Sequence, residues 1–183
     1  MPDHDDIPDY HGSSVPASTA LPEQGSKLNI LLVTRGHPFD RDAFFDVFER
    51  FGNSDITIPA LIGFYMYGRF GENEKVERTA LLASESFLVT SLFTGVLKIG
   101  MGRVRPSVAG ASANTFHAPW VDGAGHSFPS GHTAAAFSIA ASIATIYDSK
   151  LVKILAYSAA TLTGLSRIHD NKHWMSDVFM GAL

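Results

Sequence analysis

Three short stretches hold the residue types best able to do chemistry. In KIGMGRVRP, six residues separate Lys98 from the pair Arg105-Pro106. PSGH fills positions 129–132. In SRIHDNKHWMSD, Ser166-Arg167 is followed after five residues by His173 and after three more by Asp177. These types suit the handling of phosphate. Arg105 and Arg167 offer planar bidentate donors to phosphate oxygens, and Lys98 adds a point charge. If a helix starts near Pro129, where proline favours the first turn, its free N–H groups and positive dipole end make an anion site. Gly131 lets the backbone come close to an oxyanion there, and Ser130 adds a hydroxyl. His173 and Asp177 are spaced i, i+4 and so face each other on one helical turn. The carboxylate would hold one imidazole nitrogen as N–H and leave the other free to attack. His132 is left as proton donor to the leaving group.

Helices must bring these stretches together. From residue 54 onward the chain reads as helical, with neither strand alternation nor an internal repeat. Ile56–Tyr67 is apolar but carries Pro59, and a charged turn follows at 68–78. Thr79–Leu97 is an apolar run of 19 residues with one charge, Glu85. Residues 99–127, rich in Gly, Ala, Ser and Pro, read as a long loop. No Asp, Glu, Lys or Arg occurs from Gly123 to Tyr147, so a helix from Pro129 would run about 19 residues. Another helix is expected over Leu151–Leu165, and His173 opens a last one. Lys98, Pro129, Arg167 and His173 then all lie at helix ends. In an up-and-down bundle with short turns, those ends are on one side.

Taken together and in this order, the three motifs resemble the signature of the type 2 phosphatidic acid phosphatase and vanadium haloperoxidase superfamily, over roughly residues 54–183. The resemblance implies an all-α helical bundle, membrane-embedded in many members, and catalysis through a phosphohistidine without a metal or other cofactor. It implies His173 as nucleophile, Asp177 as the residue orienting it, and His132 as general acid and then as the base activating water. Lys98, Arg105, Ser130, Gly131 and Arg167 would bind the phosphate. The implied substrate is a phosphomonoester or diphosphate, foremost on a lipid, met at the membrane interface on the extracytoplasmic face. Two alternatives share the pocket: a vanadium-dependent haloperoxidase, disfavoured by chain length, and a soluble periplasmic acid phosphatase.

Composition narrows the field further. Charged residues make up only 17% of the 183, against roughly 25% in ordinary soluble domains. Of 18 acidic residues five fall in positions 1–26, which hold no Lys or Arg; the other 13 face 14 basic residues, a balance of +1. No excess of clustered cations exists for nucleic acid to recognise. The absence of cysteine removes disulfide frameworks, thiolate metal sites and Cys nucleophiles. Residues 1–26 read as a disordered acidic leader without the basic start and apolar run of a secretory signal, and 27–53 as a linker or helical segment. Residues 54–183 read as the core domain, expected to be incomplete at its C-terminal helix because the chain stops at Leu183 inside an apolar pattern. A span needs about 20 apolar residues. Two runs come close, both diluted by the small residues that membrane helices use at their contacts. Basic residues on both sides leave the orientation open.

Plainer readings stand beside these. Lys98, Arg103 and Arg105 could form a basic interfacial collar, and Arg103, outside the motif, is assigned there. His169, His173 and Asp177 make an i, i+4, i+8 stripe that could ligate zinc. Ser127 or Ser130 beside a histidine suggests a serine hydrolase, but GHSFP is not a Gly-x-Ser-x-Gly elbow. His117 and His126 read as loop residues, Trp120 and Trp174 as interfacial anchors. Glu85, about 20 Å of helix from Lys98, reads as a structural partner.

Overall fold

A computed structural model describes residues 41–117 and 125–183. The expected leader at 1–26, residues 27–40 of the following segment, and Trp120 lie outside the described residues. Six helices follow in order: α1 (Arg41–Phe51), α2 (Ser54–Phe70), α3 (Glu74–Met101), α4 (Gly131–Ile146), α5 (Lys150–His169) and α6 (Met175–Ala182). The described part of the chain is an all-α bundle in which α3, α4 and α5 pack side by side. An isolated antiparallel bridge, Arg103 to Phe116, accompanies the helices.

Capping side chains account for the starts of α2, α3 and α4. Asn53 accepts from Asp55 N, Asn73 from Val76 N and Ser130 from Thr133 N, each satisfying a first-turn N–H that has no helical partner. α4 therefore begins at Gly131, two residues later than the proline at 129 suggests, and has 16 residues instead of about 19. The serine cap decides the boundary, and Pro129 stays outside. α3 ends on Gly102 in the left-handed conformation (φ 56°), and a Cβ there would stand 2.0 Å from His117 O. Only glycine fits. From that cap the chain runs extended: Val104 N donates to Thr115 O and His117 N donates to Gly102 O. α5 continues four residues past the expected Leu165, which puts Arg167 in its last turn. α6 starts at Met175, so His173 sits in the turn before the helix and not within it.

The core is built of small residues and the surface of large ones. Ala80, Ala83, Ala134, Ala135, Ala136, Ala140 and Ala160 are buried. Leu88, Val89, Leu92, Phe93 and Val96 of α3 face outward, as do Leu151, Ile154 and Leu155 of α5. A water-facing protein would reverse this arrangement. Close-packed small residues inside and bulky apolar ones outside are what helices use when the surrounding solvent is lipid. Among the described helices α3 is long and apolar enough to cross a membrane, with only 22% of its most apolar window buried. α4, the other run close to span length, is too short at 16 residues.

Candidate active site

The end of the bundle where α3 stops and α4 starts gathers all three motifs. Lys98, in the last turn of α3, places Nζ 3.3 Å from where a Cβ on Gly131 would lie. Ser130 N donates to Asp177 O at 3.0 Å, tying the start of α4 to α6. The lack of a side chain at Gly181 permits this, since a Cβ there would meet Ser130 O at 2.6 Å. His173 N donates to Arg167 O at 3.2 Å, so the third motif closes on itself around the α5–α6 turn. Arg105 is half-buried within electrostatic reach of Lys98. The N–H groups of Gly131 and His132 belong to the first turn of α4, whose dipole end opens toward the cluster.

His173 is buried, and its Nδ1 lies 2.7 Å from Ser127 O. A carbonyl oxygen can only accept, so Nδ1 carries the proton and Nε2 keeps its lone pair. Asp177 Oδ2 is 3.8 Å from the same Nδ1, beyond direct hydrogen bonding. The i, i+4 spacing thus brings the two residues together, but the contact that fixes the ring is a backbone carbonyl from the loop before α4. Burial pushes the His173 pKa below its usual value, against the pull of Asp177 and the Ser127 carbonyl. The ring is neutral at neutral pH.

Asp177 is fully buried, and its carboxylate is saturated. Arg103 Nη1 donates to Oδ1, while Ser127 Oγ and Trp174 N donate to Oδ2, the last at 2.9 Å. Burial alone would raise its pKa; the nearby His173 N–H, the hydrogen bonds from Ser127 and Trp174 and the charge of Arg103 more than offset that and hold it below the carboxylate range. The assignment of Arg103 to an interfacial collar is corrected here. It is buried (6% exposed), donates through Nε to Ala113 O at 3.0 Å and through Nη1 to Ser176 Oγ at 2.8 Å, and lies over the Phe116 and Trp174 rings. Its proximity to the motif was the available signal. An extended Arg103-Val104-Arg105 directs the two arginines to one side, and a buried Asp177 needs a cation. Trp174, for its part, donates Nε1–H to Val104 O at 2.9 Å and so staples the first motif to the third.

The remaining residues show other engagements. Ser130 is fully buried, its Oγ accepting from the Thr133 hydroxyl at 2.8 Å as well as capping α4. Arg167 donates through Nη1 to Glu49 of α1 at 2.9 Å and through Nη2 to Asp170 at 2.7 Å. His132 is half-buried; burial first, then the charges of Arg167, His173 and Lys98, push it down to about 4. The zinc stripe is not formed. The turn after α5 separates His169, which pairs with Asp42 and Asp170, from His173, and no set of three possible metal ligands gathers among the described residues.

Fold and site together define an all-α bundle with a lipid-type exterior and a cationic, histidine-bearing cluster at one end. Residues 79–183, more than half of the chain and all eight motif residues named above, match the PAP2 superfamily, and the chain belongs to that family. It is 33% identical over 135 residues to a lipid A 1-phosphatase of Porphyromonas gingivalis, covering 71% of this chain and 27% of that protein. It is 28% identical over 142 residues to a PA-phosphatase related-family protein of Dictyostelium discoideum, covering 70% and 51%. The chain therefore spans about a quarter and about half of these two relatives. Two solved structures share its fold. Aquifex aeolicus LpxE has a TM-score of 0.59 at 28% identity, with 81% of each chain covered. A transmembrane PAP2-type phosphatidylglycerolphosphate phosphatase from Bacillus subtilis has 0.61 at 27%, covering 80% of this chain and 71% of that one.

Proposed function

We propose that the protein is a membrane phosphatase that hydrolyses a phosphomonoester or diphosphate on a lipid through a phosphohistidine at His173, without a metal ion. The observation that carries this reading is the buried His173 with Nδ1 committed to Ser127 O, beside Lys98, Arg167 and the start of α4. Nε2 attacks phosphorus, and the bond from phosphorus to the leaving oxygen breaks. His132 protonates that oxygen. Its proton is driven off by burial and the neighbouring cations, and an arriving phosphate dianion reverses the local field and restores it. Water activated by His132 then cleaves the phosphorus–nitrogen bond. Lys98, Arg105, Arg167 and the first-turn N–H groups neutralise the charge spread over the phosphoryl oxygens.

Lipid is favoured by the similarity to a lipid A 1-phosphatase and to a phosphatidylglycerolphosphate phosphatase, and by a cavity of about 480 Å³ between α2, α3, α4 and α5. It is lined by Ala83, Ala140, Ile143 and Ala160 among others, and it reaches Phe51 and Thr163 beneath the site. A hydrocarbon chain fits such a lining. The test is turnover of phosphatidate, phosphatidylglycerol phosphate, undecaprenyl diphosphate and a lipid A phosphate in mixed micelles, with excess EDTA and with vanadate. Turnover of at least one, insensitive to EDTA and inhibited by vanadate, is expected. Activity lost to EDTA and restored by zinc would overturn the mechanism.

A further inference from the structure

Glu49 reaches the cationic cluster from α1, an element that contributes to none of the three motifs. Its Oε1 lies 2.9 Å from Arg167 Nη1, and the two side chains are 38% and 4% exposed. The other carboxylate on Arg167, Asp170, caps the same helix three residues on and is fixed locally. Glu49 is brought from 118 residues away. α1 docks by Phe45 stacking on His169 at 4.6 Å and by Asp42 lying 3.3 Å from His169 Nε2. Just past its end, the backbone of Gly52 approaches His132 so closely that a Cβ would stand 2.7 Å from the histidine's own. The helix thus covers the proton-donor side of the pocket and inserts a carboxylate on one of its arginines.

We propose that Glu49 is an internal competitor for the phosphate site: α1 holds its carboxylate on Arg167, and an incoming phosphate binds by displacing it. This rests on the reading of Arg167 as a phosphate ligand. A guanidinium so deeply buried is costly to leave half-paired, so Arg167 needs a second anion besides Asp170. A phosphate offers the same kind of oxygen with a second negative charge, so it can take Glu49's place on the fork. It cannot share the place at no cost, since Glu49 also lies within the fields of His132 and Lys172 and would repel the arriving dianion. The same carboxylate helps to expel inorganic phosphate after turnover.

The experiment measures the Kd of inorganic phosphate by calorimetry on the full chain in detergent micelles. Glu49→Gln keeps the shape and removes the charge, and it should bind phosphate on the order of tenfold more tightly than the unaltered protein. Phe45→Ala, which loosens α1 while keeping Glu49, should shift Kd the same way, and it carries the test should Glu49→Gln fold poorly. A structural defect would weaken binding, so tightening is a signature that damage does not imitate. Unchanged or weaker binding by a well-folded Glu49→Gln overturns the proposal. Arg167→Ala separates the two layers. If it binds phosphate as well as the unaltered protein, the reading of Arg167 as ligand fails. If it loses phosphate while Glu49→Gln gains nothing, only the competitor role falls.

Discussion

Around Asp177 the molecule buries charge, whereas midway along the bundle it buries uncharged residues, most of them alanine, serine and threonine. At the first place Arg103, Asp177, Ser127, Arg167 and His173 are all buried, and each has hydrogen-bond partners. At the second, Ala136, Ala140 and Ala160 touch across α4 and α5 with Phe137 and Ala156 against them, and a cavity remains beside them. The two regions are specified in different ways. Buried ions have to find particular partners or cost several kcal/mol each, so the site end admits few arrangements. The waist holds by close approach of small residues and tolerates empty space, because what lies outside it is also apolar.

Substitutions should expose that difference, and the largest effect belongs to the site end. His173→Ala should lower kcat on the order of 10³-fold or more, since it removes the attacking atom. Thermal unfolding should change little by comparison. A comparable loss of stability would mean that His173 is mainly a structural residue. Next comes Arg103→Met, which strands the Asp177 carboxylate in a buried place. A cost of about 3–5 kcal/mol is expected, read as a lower unfolding midpoint, with activity falling alongside. If the variant melts like the original, the buried pair does not organise this end. Ala156→Leu, in the waist, should leave stability within about 1–3 kcal/mol and leave turnover of a short-chain phosphate unchanged, while slowing a long-chain one. Equal effects on both chain lengths would remove the cavity from substrate binding.

Much of the site end was readable from residue identity, because Lys98, Arg105, the PSGH turn, Arg167, His173 and Asp177 stand at spacings that helix ends can unite. Roles that depend on where a side chain is turned were not. Arg103 is in the same run of cations, and only the extended pairing of 102–104 with 115–117 directs it onto Asp177. The clamp on His173 Nδ1 is a backbone oxygen, which no side-chain pattern announces. Glu49 lies in a segment that reads as linker or helix without a motif, and its reach to Arg167 depends on how α1 docks. In the waist the difficulty is different. When the solvent is lipid the outward face is as apolar as the inward one, so the hydrophobic period that orients a helix fades. What survives is residue size, with alanine in and leucine out.

A smaller effect concerns pH. His173 attacks as the neutral imidazole, and protonation removes the nucleophile. Because burial lowers its pKa from 6.5, the neutral form persists further into acid, and the acid limb of kcat/KM should fall below pH 6.5. A limb above that value would mean that Asp177 and the Ser127 carbonyl outweigh burial in setting the charge of His173.

The most direct test of the central claim is to trap the intermediate. Enzyme mixed with phosphate-labelled lipid and quenched in base should carry label that acid removes, on His173, and His173→Ala should carry none. Label found on a serine, or full turnover by His173→Ala, would contradict the account.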